Sequence, residues 1–236
     1  MFPVDPSQIT LFAQSAVFGL GIGLTMGLTG AGGGILSVPV LLLGLGMGMH
    51  NAKPLSLLAV ALGASVGAWQ GWRQGMLRYR AVPYMSLMGA LVSPLGGWLA
   101  LQLGQRVLVA VFSAVLVLVG WRSLRQLSPS AAAAEAAVPT CTVDPASGRF
   151  IWTPACFITL GGIGAVTGLL SGMLGVGGGF FMVPMLQRFT NLRYQVVLVT
   201  SLGVIALVSG VTALQILAQG ASLGGAMALY FMAATM

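Results

Sequence analysis

The stretch GLTGAGGGILSVPVLL, Gly27 to Leu42, sets five glycines inside an apolar run where a helix would otherwise continue. Each interior glycine costs a helix about 1 kcal/mol relative to alanine, so the cluster must serve either close packing or a break. The pattern returns as GMLGVGGGFFMVPML, Gly172 to Leu186, with Gly34 and Gly179 standing 145 residues apart. The same spacing holds outward without a gap over some fifty residues: Gly19/Gly164, Gly23/Gly168, Gly30/Gly175, Pro39/Pro184, Ser56/Ser201, Leu57/Leu202 and Gln70/Gln215. Apolar residues agree easily by chance, whereas Gly, Pro, Ser and Gln in one register do not, so the chain reads as an internal duplication.

Composition names the solvent. With 57% hydrophobic and 6% charged residues and a mean hydropathy of +0.98, the chain is far from the roughly 25% charged content of a soluble domain. A water-soluble fold could not cover its surface with so few polar groups, so a multi-pass protein of a cell membrane is expected, a bacterial inner membrane being the natural location. The opening MFPVDPSQITLF has no basic n-region and carries Asp5, so it does not read as a cleaved signal peptide. The net charge of +7 would suggest nucleic acid in a soluble chain, but here the basic residues end apolar runs and read as orientation signals. No nucleic-acid partner is expected. Cys141 and Cys156 lack a CxxC or Cys/His neighbourhood, so no metal or redox site, no cofactor and no role is assigned to them.

One long polar stretch, QLSPSAAAAEAAVPTCTVDPASGRF from Gln126 to Phe150, divides the chain into a first membrane repeat (1–126), a cytoplasmic linker (127–150) and a second repeat (151–236). Apolar segments run roughly over 11–46, 54–72, 81–104 and 107–121 before it, and over 151–190, 195–218 and 222–236 after it. Most have the ~20 residues that span ~30 Å of hydrocarbon as a helix, and none alternates as a barrel strand would. The expected fold is all-α, with about 7 transmembrane segments. Continuing the register puts the equivalent of Gln126 at position 271, while the sequence ends at Met236 inside an apolar run; the reading therefore expects an eight-segment plan without its last helix.

The glycines divide into two kinds. Gly19, Gly23 and Gly27, like Gly164, Gly168 and Gly172, are four apart and form bare stripes that let another helix approach. Consecutive Gly32, Gly33 and Gly34, and Gly177, Gly178 and Gly179, face different sides of a helix and cannot serve one interface. A nucleotide-binding loop is excluded, since ILSV and FFMV follow in place of Lys-Ser/Thr. The preferred reading is an unwound loop followed by a short helix whose first amides point into the membrane interior, with unbroken packing helices as the alternative.

Arg73, Arg78 and Arg80 are separated by two apolar segments from Arg122 and Arg125, so both clusters share a side, which the positive-inside rule makes cytoplasmic. If each broken segment crosses once, the repeats are parallel and Arg188 and Arg193 fall outside. If each doubles back at its glycines, the repeats are inverted, Arg188 and Arg193 fall inside, and only Lys53 and Arg106 remain outside. Inverted repeats are preferred, and paired broken helices in such halves point to a transporter's midplane site.

With these motifs in place, the chain resembles the TauE/SafE sulfite exporter family of membrane transporters. The resemblance rests on GLTGAGGGILSVPVLL with HNAKPLSLLAVALGASVGA downstream, and on GMLGVGGGFFMVPML with YQVVLVTSL. It implies transport of a small anion such as sulfite or a related organosulfur anion. By position, Gly32, Gly33, Gly34, Pro39, Asn51 and Ser56 match the first motif and Gly177, Gly178, Gly179, Pro184 and Ser201 the second, with Pro39 and Pro184 as hinge positions.

An anion also follows from elementary electrostatics. A helix N-terminus carries roughly +0.5 charge and unpaired N–H donors, and two such ends, near Ile35 and Phe180, would meet at a pseudo-two-fold axis. Ser37, Ser56, Thr200 and Ser201 could add hydroxyl donors, and Gln70 and Gln215 amides; a helix–helix hydrogen bond or back-bonding to the helix is an equally good reading of each. His50 and Lys53 are expected at the extracellular interface, as solvated loop residues in preference to a substrate gate. No nucleophile, metal cluster or carboxylate pair lies in the spans, so no catalytic or metal-ligating residue is named and no enzyme is expected. The acids Asp5, Glu135 and Asp144 all lie outside the spans, which points to a potential-driven anion uniporter. A non-transporting scaffold or accessory subunit is the alternative, and a homo-oligomer is open.

Overall fold

The computed structural model describes residues 19–24, 37, 49–76, 80–126, 140–142 and 152–218. Beyond a short helical piece at 19–24 it consists of six helices: α1 (Met49–Arg73), α2 (Ala81–Gln102), α3 (Gln105–Gln126), α4 (Pro154–Leu174), α5 (Gly179–Phe189) and α6 (Tyr194–Ala218). No strand occurs among the described residues, apart from an isolated bridge between Cys141 and Thr190. Among the described residues, four helices are long and apolar enough to cross a membrane: Lys53–Arg73, Ala81–Gln102, Pro154–Leu174 and Tyr194–Ala218. The protein is thus an all-helical, multi-pass membrane protein. The 107–121 run expected as a span lies within the 22-residue helix α3. The first-repeat break at 25–36 and the final apolar run at 222–236 lie outside the described residues.

The second broken segment is two helices. Thr153 caps α4 by accepting the Cys156 amide at 3.2 Å, with Pro154 preset for the first helical position. Gly175 ends α4 in the left-handed region at φ 76°, its amide donating to the Ser171 carbonyl. Eleven-residue α5 then returns to the end where α4 began. There the Cys141 amide donates to the Phe189 carbonyl at 2.9 Å, and Cys141 is bonded to Cys156 with their Cα atoms 4.9 Å apart. This disulfide ties the linker to the α4–α5 hairpin. The sequence assigns these cysteines no role, since neither has a CxxC or Cys/His neighbourhood; the fold brings them together.

Two interfaces hold the bundle. Along α2 and α4, Met85 lies against Gly164, Gly89 against Gly168 and Ser93 against Gly172, so the helices run parallel. A Cβ on Gly168 would fall onto the Gly89 carbonyl, which is the close approach expected of the glycine stripe. Along α1 and α6, Gly71 lies against Val199, Gly67 against Leu202 and Gly210 beside Ala61; one number falls as the other rises, so this pair is antiparallel. The bounds of α1 and α6 differ by 145 at both ends, matching the repeat register. Val60, Ala64, Leu202 and Ile205 form the core between them.

At one end of the bundle Ala81, Val82, Cys156, Leu160, Leu186 and Val197 join α2, α4, α5 and α6. At the other, Leu108 of α3 packs with Met173, Leu174, Val176 and Phe180. Leu87, Leu91, Leu95 and Trp98 form an exposed stripe on α2, as a lipid-facing surface requires. Trp69 and Trp72 are exposed at one end of α1 and Trp98 toward the opposite end of α2, the positions of interfacial aromatic belts.

Candidate functional site

The break between α4 and α5 is the best-defined candidate site. Gly177 and Gly178 adopt φ of 77° and 65°, a conformation that side-chain-bearing residues rarely take. Space excludes a side chain as well. A Cβ on Gly178 would sit 2.5 Å from the Thr167 carbonyl oxygen, and one on Gly177 would sit 2.7 Å from Ser209 Oγ and 2.9 Å from Val60 Cγ1. These neighbours fix the depth of the loop. Thr167 is thirteen residues into α4 and seven from its end, Ser209 is fifteen into α6 and nine from its end, and Val60 is eleven into α1. The loop therefore lies at mid-depth of the long helices.

Val60 and Ile205 occupy equivalent positions of the repeat, eleven residues into α1 and α6 respectively. Both flank Gly177, Ile205 Cγ2 at 3.4 Å from the position of a Cβ there. From this point α5 begins with Gly178 as its N-cap and no side-chain cap bond, so its first amides open toward the loop. The Phe181 and Met182 amides turn back to the Gly178 carbonyl at 3.2 and 3.3 Å. Pro184 sits inside α5 and removes the amide that would have bonded the Phe180 carbonyl.

The other expected site residues fall at different levels. Buried Ser56 donates to the Gly175 carbonyl at 2.7 Å, stitching α1 to the start of the break in the other repeat. Lys53 is partly buried and lies over Gly175, its Cγ 3.0 Å from where a Cβ would be. Ser201 back-bonds to the Leu198 carbonyl at 2.8 Å. Thr200 is buried, and its Oγ1 has no partner among the described residues. Ser37 is buried. Gln215 accepts from Ser93 Oγ at 2.8 Å near the end of α6, and Gln70 is exposed near the opposite end of α1. Each glutamine is ten residues, about 15 Å of helix, from the Val60/Ile205 level, so neither stands with Gly177. Gly32, Gly33, Gly34 and Pro39 lie outside the described residues, as do the side chains of His50 and Asn51.

Buried hydroxyls of Ser86, Ser171 and Ser209 also have no hydrogen-bond partner among the described residues. Agreement between the repeats does not reveal Ser209, whose equivalent in the first repeat is Ala64. No group of His, Cys, Asp and Glu suited to a metal ion occurs among the described residues.

A family model described as Sulfite exporter TauE/SafE matches residues 15–236. Two proteins of Xylella fastidiosa, from strain 9a5c and strain Temecula1 / ATCC 700964, are each named Probable membrane transporter protein. They are 28% and 27% identical to this chain over 174 residues, 72% of its length and 60% of theirs. The match thus spans less than two thirds of these relatives. No solved structure matches the chain.

Proposed function

We propose that this chain, which belongs to the sulfite exporter TauE/SafE family, exports a small anion, sulfite or a related organosulfur anion, by alternating access at a midplane site formed by its glycine breaks. The observation that carries the reading is the position of Gly177. It touches Val60 and Ile205, which the repeat makes equivalent, so it lies beside the axis that would relate the two halves. A helix N-terminus opening there supplies amides and partial positive charge to an oxyanion in a medium of low dielectric.

Inverted repeats are supported by two features: antiparallel packing of the equivalent helices α1 and α6, and the return of α5 to the end where α4 starts. Parallel repeats would set α1 and α6 side by side in one direction. In this arrangement Arg73, Arg80, Arg188 and Arg193 share one end while Lys53 and Arg106 stand at the other, and the positive-inside rule places the arginine-rich end in the cytoplasm.

The sequence holds three acids, Asp5, Glu135 and Asp144, none within an apolar segment, so no carboxylate is at hand inside the membrane to carry a proton or hold sodium. A cell interior at about −100 mV drives each unit negative charge outward with roughly 2.3 kcal/mol, enough for a gradient approaching fiftyfold. The mechanism is therefore potential-driven anion uniport. In proteoliposomes at equal pH and without sodium, a negative interior imposed with potassium and valinomycin should speed sulfite efflux. Efflux that follows only a proton or sodium gradient would refute uniport, and no flux of any small anion would favour a scaffold.

A further inference from the structure

The repeat is unequal where its equivalence matters most. The second repeat presents buried Ser209 to the break, its Oγ 2.7 Å from where a Gly177 Cβ would sit and without a hydrogen-bond partner among the described residues. The equivalent position in the first repeat is Ala64, fully buried and apolar, in one cluster with Val60 and Ile205. A hydroxyl sealed from water with its hydrogen unplaced is costly unless something else completes it. Here that hydroxyl stands beside amides that open at the start of α5, so every donor at this point has the same sign. Among the described first-repeat residues near this point, Val60 and Ala64 offer methyl groups.

We propose that Ser209 is a substrate-binding residue that donates its hydroxyl to the oxyanion head of the transported anion, and that the Val60–Ala64 wall receives an apolar remainder. The inference rests on the break being the substrate site, and it narrows the substrate class to lopsided anions: a small alkyl sulfonate fits, whereas an ion with oxygens on every side leaves some facing methyl groups unpaired. Loop and walls are in contact, so binding displaces the Gly177 loop to admit the ligand.

The test is ligand-induced thermal stabilisation of the purified protein with methanesulfonate, sulfite and sulfate as probes. Methanesulfonate should stabilise the wild type at lower concentration than sulfate does. Ser209→Ala removes one oxygen and leaves no cavity of consequence, so its melting temperature without ligand should match or exceed that of the wild type. Its apparent affinity for methanesulfonate should fall about tenfold, roughly one charge-assisted hydrogen bond. Ser86→Ala removes an equally unpartnered buried hydroxyl, five residues into α2, and should leave affinity unchanged. Ala64→Ser, which supplies the missing hydroxyl, should narrow the preference against sulfate. Wild-type binding with unaltered affinity in Ser209→Ala would overturn this inference and leave the transport reading standing. A wild type that binds none of the probes and carries no flux would overturn both.

Discussion

Two glycine patterns on neighbouring turns of one segment do opposite things. On α4, Gly164, Gly168 and Gly172 keep helical geometry and bring two backbones together, with Gly89 and Ser93 of α2 filling the space their side chains would take. Past the end of α4, Gly177 and Gly178 leave helical geometry for positive φ and bring a backbone up to side chains, one of them a hydroxyl without a partner. Spacing tells the two apart. Glycines four apart share a face and make a packing seam, whereas consecutive glycines cannot share one and are free to unwind.

The contrast breaks most sharply at the seam. Gly168→Val drives two methyls into the Gly89 backbone, which cannot yield as a side chain could, so folded protein should be lost almost completely; overpacking even where neighbours can shift costs ~1–3 kcal/mol. Gly162→Val, on the open face of the same helix with nothing within 4 Å of its Cβ, should retain near-normal yield. Detergent-extracted monodisperse protein measured by size-exclusion fluorescence checks both, and equal loss in the two variants would deny the seam its role. The same geometry shows why valine at Gly178 is a poor probe of binding: positive φ and the Thr167 carbonyl make it a folding lesion first.

A smaller effect concerns the tie across the hairpin mouth. Closing a loop of about fifteen residues constrains the unfolded chain by roughly 3 kcal/mol, so reducing oxidised, purified protein should lower its melting temperature. An unchanged melting temperature would mean that Cys141 does not hold the α4–α5 hairpin. Because the tie sits at the arginine-rich end assigned to the cytoplasm, where thiols are kept reduced, alkylation under denaturing conditions directly after lysis should trap both cysteines as thiols from cells. Recovery of the disulfide from such cells would argue that this end faces outward.

Much of this arrangement was legible in the sequence. The apolar runs 54–72 and 195–218 fall on α1 and α6, and the consecutive glycines 177–179 mark the second break, because both depend on local backbone chemistry that the residue pattern exposes. Three things were hidden. Cys141 and Cys156 meet only because α5 returns to the start of α4, a tertiary fact with no local signature. Gln70 and Gln215 agree between the repeats, yet agreement fixes their equivalence and not their depth, and both lie near helix ends. Ser209 differs from its repeat equivalent Ala64, so likeness between the repeats does not mark it, although a duplicated site that binds an asymmetric ligand must differ somewhere.

The central claim is that two inverted halves meet at the glycine breaks, and the most direct measurement is the sidedness of single cysteines in intact cells. Cys141 and Cys156 are both fully buried, so a thiol added at Ser7 or Ser130 reports on its own position. With an impermeant maleimide, Ser7→Cys should react from outside and Ser130→Cys only after the membrane is opened, because inverted halves put an odd number of crossings between them. Reaction of both from the same side would contradict the inverted arrangement, and with it the meeting of two helix N-termini at the centre of the membrane.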